Sequence, residues 1–324
     1  EREMDDAVHA AVAEAVARGE KVLLQVMDAS KLAWRAPSIA CIDRIAAAWP
    51  DQVIIVVDAC QMRLGRARLR SYLSHGYLVL MTGSKFFTGP AFSGAFLIPR
   101  AKTALIAALR PPPAGLPGYT TREDWPPDWH NMRQTLPSSH NYGQWLRWEA
   151  AIEEMEAYFT VPAQYREDFF AALASEIPRI IAASPNLRLV NSPYDMADNI
   201  LGEEMRHQTI FSFVPCCSGD PLSLEKCSDL YRAMGHDLSN RLPADASKWI
   251  RLTAARICEI GQPVALGHQR GAALRICTSA RQVRSHWDKA HRVQDAVVSV
   301  MAGVRAVAGK LDWLIDNPQF REGN

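Results

Sequence analysis

The sequence predicts an α/β protein with a mainly parallel central sheet and flanking helices, followed by a smaller α+β domain. Three continuous apolar runs of strand length indicate the sheet: Val22–Met27, Val53–Val57 and Tyr77–Met81. Continuous rather than alternating apolarity is typical of strands that are buried on both faces, as in a parallel sheet. Helical patterns at Ile39–Trp49 and Arg63–Ser74 separate these runs, so strands and helices alternate as in an α/β fold.

We place the first domain at residues 1–160 and the second at residues 161–324. A further strand is predicted at Ala95–Ile98. The stretch from Pro111 to Ser139 is rich in proline and also carries Trp and Tyr residues. A loop of this length in a compact domain is usually functional or disordered, and its aromatic residues favour an ordered loop near a site.

The last third of the chain is predicted to mix short strands with helices. Two long helical patterns precede it, at residues 142–158 and 166–183. The predicted strands are Leu187–Val190, Thr209–Val214, Trp249–Thr253 and Leu274–Cys277, and the predicted helices are Leu222–Met234 and Ser285–Leu314.

Composition argues against several functional classes. Basic and acidic residues balance, 36 against 35, so no basic face for nucleic acid is indicated. The seven cysteines are scattered without metal-ligand spacing, which fits a reducing cytoplasm and no metal site. Neither a bilayer-spanning run nor a signal peptide is visible. We therefore expect a cytoplasmic protein with no nucleic-acid or membrane partner.

An acid and a lysine follow two of the predicted strands. Asp58 comes directly after Val53–Val57, and Lys85 follows the next strand after Thr82-Gly-Ser. Ligands of open α/β sheets bind beyond the carboxyl ends of strands. A lysine at that position forms a Schiff base with the aldehyde of pyridoxal 5'-phosphate, while a carboxylate keeps the pyridine nitrogen protonated. The pair predicts a pyridoxal-phosphate enzyme.

These residues also have simpler interpretations. Asp58 alone fits an acid that caps the following helix. The hydroxyls of Thr82 and Ser84 suit a phosphate, but they are also common turn chemistry. Gly83 and Gly89 allow a close approach of the backbone, which we expect to serve the cofactor. The acid and the lysine at matching strand ends carry more weight together than either does alone.

The pattern Asp58-x-x-Gln61, with Thr82-Gly-Ser84-Lys85 twenty-seven positions after the Asp (85 − 58), resembles the class V aminotransferase family. That family includes the cysteine desulfurases and belongs to the fold-type I pyridoxal-phosphate enzymes. The resemblance implies Asp58 on the pyridine nitrogen, Gln61 near the phenolic oxygen and Lys85 as the Schiff-base lysine. It also places Thr82 and Ser84 on the phosphate, although family members often carry His at the position of Ser84.

Further segments carry the resemblance along the chain. Ser30 lies where the family places a polar residue beside the cofactor's oxygen. Ser139 matches a hydroxyl residue at the start of a helix that reaches the phosphate of the partner subunit's cofactor, which implies a homodimer with shared active sites. Arg275, after Gly261-Gln262-Pro263, would hold the substrate's α-carboxylate. A surface arginine on a strand is the alternative for Arg275.

Two departures limit what the resemblance implies. The family's phosphate-binding turn and ring-stacking residue lie well upstream of the Asp-x-x-Gln strand, so we expect a natural N-terminal portion before Glu1. The position of the desulfurase cysteine corresponds to Ile260, with Cys258 two residues earlier. This mismatch weakens a persulfide mechanism.

We therefore expect a pyridoxal-phosphate-dependent enzyme that acts on an α-amino acid, with Lys85 removing the proton at the α-carbon. Aminotransfer is favoured narrowly over a carbon–sulfur lyase reaction, because both reactions share these residues. A non-catalytic binding protein on the same scaffold is a second alternative. A nucleotide-binding α/β protein is disfavoured, since the chain has neither a dinucleotide fingerprint nor a P-loop.

Overall fold

A computed structural model describes residues 2–108, 113–191, 205–267, 271–288 and 292–321. Over these residues the chain forms two compact units. The first includes residues 2–29 and 35–158, and the second includes residues 30–34, 159–191 and 206–321. The short segment 30–34 thus belongs with the second unit, although its neighbours along the chain belong to the first.

The first unit contains a four-stranded sheet. Its strands are β1 (Val22–Met27), β2 (Val53–Asp58), β3 (Leu78–Thr82) and β4 (Gly94–Leu97). They are arranged in the order β1-β2-β3-β4, with the first three parallel and β4 antiparallel to β3. The predicted mixed α/β fold with a parallel-containing sheet and flanking helices is confirmed. The carboxyl ends of β1, β2 and β3 lie at the same edge of this sheet.

Helices connect the parallel strands. The helices that begin in this unit are α1 (Arg2–Ala17), α2 (Ile39–Ala48), α3 (Arg66–Ser74), α4 (Thr103–Ala107), α5 (His130–Arg133) and α6 (Tyr142–Phe159). Between β1 and β2, α2 buries apolar residues such as Ile42 and Ile45. In contrast, α3, between β2 and β3, buries Arg68 and Tyr72.

The proline-rich segment before α6 is ordered. Over residues 113–141 it forms turns, two short 3-10 helices (Leu116–Gly118 and Arg122–Asp124) and α5. Trp129, Met132 and Leu136 are buried together and give the segment an apolar core of its own. This cluster explains how a segment with so little regular structure keeps one conformation.

The second unit pairs an antiparallel sheet with helices. Its strands are β5 (Leu187–Leu189), β6 (Ile210–Cys217), β7 (Asp220–Pro221), β8 (Gly261–Ala265) and β9 (Ala272–Cys277). Its helices are α7 (Ala163–Ala182), α8 (Leu224–Met234), α9 (Lys248–Ala255), α10 (Ala280–His286) and α11 (Val293–Asp316). The strand order is β5-β6-β9-β8, with β7 pairing with β6. The central strands β6 and β9 are buried almost throughout.

Two predicted segments of this unit are wrong. Trp249–Thr253 lies within α9 rather than in a strand, because Ser247 caps that helix by accepting a hydrogen bond from the Ile250 N–H at 3.3 Å. The helix predicted for residues 285–314 is interrupted, since α10 ends at His286 and Trp287 and Asp288 are not helical. In both places short-range patterns did not reveal where a helix is capped.

All seven cysteines are free thiols. Within the described ranges, no group of three or more His, Cys, Asp or Glu side chains is placed to hold a metal ion. No helix in the described part of the chain combines the length and hydropathy that crossing a bilayer requires.

Candidate active site at the strand ends of the first unit

Asp58 and Lys85 follow neighbouring parallel strands. Asp58 is the last residue of β2 and is aligned with Leu80 of β3. The Ala59 N–H donates to the Leu80 carbonyl at 2.9 Å, which continues the pairing past the end of β2. Lys85 lies three residues beyond Thr82, where β3 ends. Both residues therefore emerge at the same edge of the sheet.

The Asp58 carboxylate is half-buried and is held by the turn that follows it. Its Oδ1 accepts a hydrogen bond from the Cys60 N–H at 3.0 Å. The helix-capping interpretation of Asp58 is wrong, because α3 begins at Arg66 with Gly65 as its N-cap. Gln61 is also half-buried and occupies the same turn, which the Met62 N–H closes by donating to the Ala59 carbonyl at 2.8 Å.

The Cys60 thiol lies within electrostatic reach of both charged groups. Burial, followed by the Asp58 carboxylate, raises the pKa of Cys60 to about 12, while the Lys85 charge acts in the opposite direction. Cys60 therefore lies in the neighbourhood of both charged groups. Cys60 is a neighbour of this site that the sequence analysis did not single out.

The loop that carries Lys85 is anchored by an aromatic pair. Phe86 and Phe87 are buried, and each packs edge-on against Tyr158, with ring centroids 5.5 and 5.6 Å away. The Arg63 guanidinium lies over the Phe86 ring at 5.3 Å. Lys85 itself is exposed, and its side chain makes no hydrogen bond or ion pair among the described residues. The fold thus fixes the backbone of the lysine and leaves its amine accessible.

The hydroxyls before Lys85 bind each other. Thr82 Oγ1 and Ser84 Oγ are 2.9 Å apart, and the Ser84 N–H donates to Thr82 Oγ1 at 3.2 Å. This geometry is a compact turn of two hydroxyls beside the lysine. It fits the turn interpretation, and it also presents two adjacent hydroxyls of the kind that bind a phosphate.

The two glycines of this loop leave room for the close approach of a helix. A Cβ at Gly83 would lie 2.4 Å from the Ala151 Cβ, and a Cβ at Gly89 would lie 2.7 Å from the same atom. Ala151 belongs to α6. The close approach that we predicted for the cofactor is therefore made by α6, which presses against the lysine loop.

Ser139 lies in the first unit, shortly before α6. It is exposed and stands three residues before Tyr142, where the helix begins. Asn141 caps the helix, since its Oδ1 accepts a hydrogen bond from the Gln144 N–H at 3.2 Å. The predicted position of Ser139 next to a helix N-terminus is thus present.

Ser30 and Arg275 are both in the second unit and lie close to one another. Ser30 Oγ accepts hydrogen bonds from the Leu32 and Trp34 N–H groups, both at 3.1 Å, and so closes the loop 30–34. Arg275 Nη1 donates to the Lys31 carbonyl at 3.2 Å. Arg275 therefore fastens the Ser30 loop to β9.

Arg275 is buried, so its interpretation as a surface arginine is wrong. Its Nη2 donates to the Gln262 carbonyl at 3.1 Å, and Gly261 covers the guanidinium so closely that a Cβ there would lie 2.8 Å from Arg275 Nε. Among the described residues Nε has no hydrogen-bond partner. The guanidinium thus retains donor capacity beyond its two backbone contacts.

Cys258 lines a separate cavity of the second unit. The cavity has a volume of about 390 Å³, and Cys277 and His286 also line it. Burial raises the pKa of Cys258, with Lys310 and Arg256 acting in the opposite direction. A thiol whose pKa is raised is protonated at neutral pH and is a poor nucleophile.

The structure therefore groups five of the eight predicted site residues at one sheet edge. Asp58, Gln61, Thr82, Ser84 and Lys85 share the strand ends of the first sheet. Ser139 lies before α6 in the same unit, while Ser30 and Arg275 belong to the second unit. The sequence analysis missed Asp28, a buried acid directly after β1. Its position at a strand end, like that of Asp58 at the end of β2, was a signal that the sequence offered.

Comparisons with known proteins show the fold. Searches of family models and of curated proteins give no match. Among solved structures, the chain is similar to mouse CSAD, with a TM-score of 0.50, 11% identity, and 94% of this chain and 56% of that one covered. It also matches Rhodiola rosea 4-hydroxyphenylacetaldehyde synthase, with a TM-score of 0.48, 14% identity, and 94% and 53% covered.

A third match is a putative histidinol-phosphate aminotransferase from Erwinia carotovora atroseptica, with a TM-score of 0.40, 12% identity, and 92% of this chain and 64% of that one covered. With mouse CSAD the chain shares a mixed α/β fold. It spans 53% and 56% of the length of the first two.

Proposed function

We propose that this chain belongs to a pyridoxal-phosphate-dependent enzyme that acts on α-amino acids, with Lys85 as the lysine that carries the cofactor. One observation carries the proposal: an accessible lysine on a rigidly anchored loop emerges at the same sheet edge as a half-buried carboxylate. When bound, the cofactor supplies an electron sink for the bonds of the substrate's α-carbon.

The residues present fit that cofactor. Asp58 is kept in place by the Cys60 N–H and offers a carboxylate to a protonated ring nitrogen. Gln61, in the same turn, provides an amide for the phenolic oxygen. Thr82 and Ser84 provide adjacent hydroxyls for the phosphate. With the cofactor and substrate bound, the amine of Lys85 would accept the α-proton as a general base.

Aminotransfer in the manner of class V enzymes is the reaction we favour. The alternative, a carbon–sulfur lyase of the desulfurase type, requires a reactive thiol. Cys258 is the cysteine nearest in sequence to that position, and its raised pKa argues against such a role. Arg275 is proposed as the partner of the substrate's α-carboxylate, through the donor capacity that its backbone contacts leave.

A homodimer is part of the same proposal, because Ser139 would serve the phosphate of the neighbouring subunit's cofactor. Its exposure before the N-terminus of α6 supports this role. Ser30 is proposed near the cofactor's oxygen; its hydroxyl already accepts two backbone hydrogen bonds and retains its own proton as a donor. A cytoplasmic location fits the seven free thiols.

A titration of the purified protein with pyridoxal phosphate tests the proposal. We expect an absorbance band near about 420 nm, characteristic of the lysine-bound cofactor, in the wild type. Lys85→Ala should remove the band, while Lys226→Ala, a change at an exposed lysine of α8, should retain it. A wild type that takes up no cofactor would favour the non-catalytic alternative and overturn the proposal.

A further inference from the structure

A buried ionic cluster surrounds Asp28, directly after β1. The Asp28 side chain is 1% exposed, and its Oδ1 accepts a hydrogen bond from the Tyr72 hydroxyl at 2.7 Å. The guanidinium groups of Arg35 and Arg68 lie 3.7 and 3.8 Å from the same oxygen, and their side chains are 4% and 2% exposed. All four residues belong to the first unit.

Stability alone does not account for this cluster. Removing a carboxylate and two guanidinium groups from water has a large free-energy cost, and apolar side chains of similar volume usually stabilise such a position at least as well. In addition, Asp28 Oδ2 is buried without a hydrogen-bond partner among the described residues. A buried polar group with an unsatisfied oxygen calls for an explanation other than packing.

The cluster is connected to the candidate site through the backbone. The Asp28 N–H donates to the Asp58 carbonyl at 3.0 Å, and the Ala59 N–H donates to the Leu80 carbonyl at 2.9 Å. Arg35 Nε also donates to the Asp28 carbonyl at 3.3 Å. A path of hydrogen bonds therefore runs from Tyr72 on α3 across the ends of β1, β2 and β3.

Tyr72 is suited to hold Asp28 as a permanent donor. Burial, and then the charge of Asp28, raises the pKa of Tyr72 well above its usual value, while Arg35 and Arg68 act in the opposite direction. The phenol therefore keeps its proton at any physiological pH. Its hydrogen bond to a charged acceptor is of the stronger kind.

We propose that Asp28, held by Tyr72, is a positioning residue of the cofactor site. It fixes the end of β1 and thereby the backbone of Asp58 relative to β3, the strand that precedes Lys85. The inference rests on the proposed function. Among the described residues, no hydrogen bond or ion pair joins this cluster to the Asp58 carboxylate or to Lys85. The inference nevertheless gives the cluster a measurable part in cofactor binding.

The chain offers a matched control for this proposal. Tyr77 is buried like Tyr72, and its hydroxyl also donates to an aspartate, Asp43 on α2, at 2.9 Å. Tyr77→Phe and Tyr72→Phe thus each remove one tyrosine–aspartate hydrogen bond from the same unit, although Asp28 is buried and Asp43 is exposed. Only the second acts on the path that leads to Asp58.

The experiment compares cofactor affinity and thermal stability in the two variants. We expect Tyr72→Phe to weaken the affinity for pyridoxal phosphate by about three- to tenfold, and Tyr77→Phe by less than about twofold. The melting temperature should fall in both variants, and further in Tyr72→Phe, because Asp28 is buried whereas Asp43 is exposed to water. If Tyr72→Phe does not fold, Asp28→Asn replaces it, since the amide keeps the shape and loses the charge; the same weakening is expected.

Each outcome has a distinct meaning. Equal cofactor affinities in the two Phe variants, with a lower melting temperature in both, would show that the cluster is merely structural and would overturn the inference. A wild type that binds no cofactor would instead overturn the proposed function. A shifted absorbance maximum or altered circular dichroism of the bound cofactor in Tyr72→Phe alone would support positioning.

Discussion

Two lysines in this chain show how differently a fold can use the same side chain. Lys85, in the first unit, is exposed on an anchored loop and makes no polar contact among the described residues. Lys310, on α11 of the second unit, is fully buried and donates to the carbonyls of Met234, His236 and Arg256. Burial lowers the pKa of Lys310. Lys310 therefore has a structural role, since its three donors are used by backbone carbonyls.

The difference lies in what each amine is free to do. A lysine that forms a bond to an aldehyde must have a backbone fixed by other residues and an amine with access to the ligand. Lys85 meets both conditions, because Phe86 and Phe87 hold its loop. The donors of Lys310 are all directed at carbonyls near the ends of α8 and α9. A perturbed pKa is therefore a weak guide to function when the group is saturated with backbone contacts.

The strongest stability effect is expected at Lys310. Lys310→Met removes the donor shared by three backbone carbonyls, at a cost of about 2–4 kcal/mol in the free energy of unfolding. Chemical denaturation of the variant measures this loss, and Lys226→Met at an exposed position is the control. The affinity for pyridoxal phosphate should not change. A loss of cofactor binding by the folded Lys310→Met protein would contradict the comparison.

Close packing beside Lys85 predicts the next effect. Gly83→Ala places a Cβ 2.4 Å from that of Ala151 and should cost about 1–3 kcal/mol through overpacking. Because the strain falls on the lysine loop, we expect weaker cofactor binding as well. Gly94→Ala, where an added Cβ meets no atom within 4 Å, is the control.

A compensating substitution at Ala151 tests whether this contact causes the effect of Gly83→Ala. In the double variant Gly83→Ala with Ala151→Gly, the contact with the Ala151 Cβ is removed and cofactor affinity should recover in large part. Stability should recover less, because glycine inside α6 itself costs about 1 kcal/mol. Failure of Ala151→Gly to restore cofactor affinity would show that the contact with α6 is not what fixes the loop.

The smallest effect is expected at Ser139. Ser139→Ala should weaken the affinity for pyridoxal phosphate by about two- to fivefold, since one hydroxyl contact to a phosphate would be lost. The neighbouring exposed Ser138 provides a matched Ser138→Ala control. Equal affinities in the wild type and both variants would remove Ser139 from the site.

Much of the first unit is predictable from sequence, because its information is local. Continuous apolar runs mark β1, β2 and β3, and the parallel arrangement places Asp58 and Lys85 at one edge. In the second unit, residues 249–253 show how the same reasoning fails: a side-chain cap at Ser247 selects a helix over a strand. The hydrophobic periodicity of a sequence carries no information about a single capping hydrogen bond.

The remaining features depend on contacts between distant residues. Arg275 donates a hydrogen bond to the carbonyl of Lys31, which lies 244 positions earlier in the sequence. At Gly83 a side chain is excluded by Ala151 of α6 rather than by a ligand. Asp28 is a charged residue that would be expected at the surface, but Tyr72, Arg35 and Arg68 surround its side chain. Burial of this kind follows from the tertiary fold, and the position of Asp28 directly after an apolar strand was its one signal in the sequence.

The most direct test is to reduce the protein with sodium borohydride after incubation with pyridoxal phosphate and to locate the modified residue by peptide mass spectrometry. Reduction fixes the cofactor on whichever lysine holds it. The account predicts a single phosphopyridoxyl group on the peptide that contains Lys85. Modification of Lys310 or another lysine in its place, or of none, would contradict it.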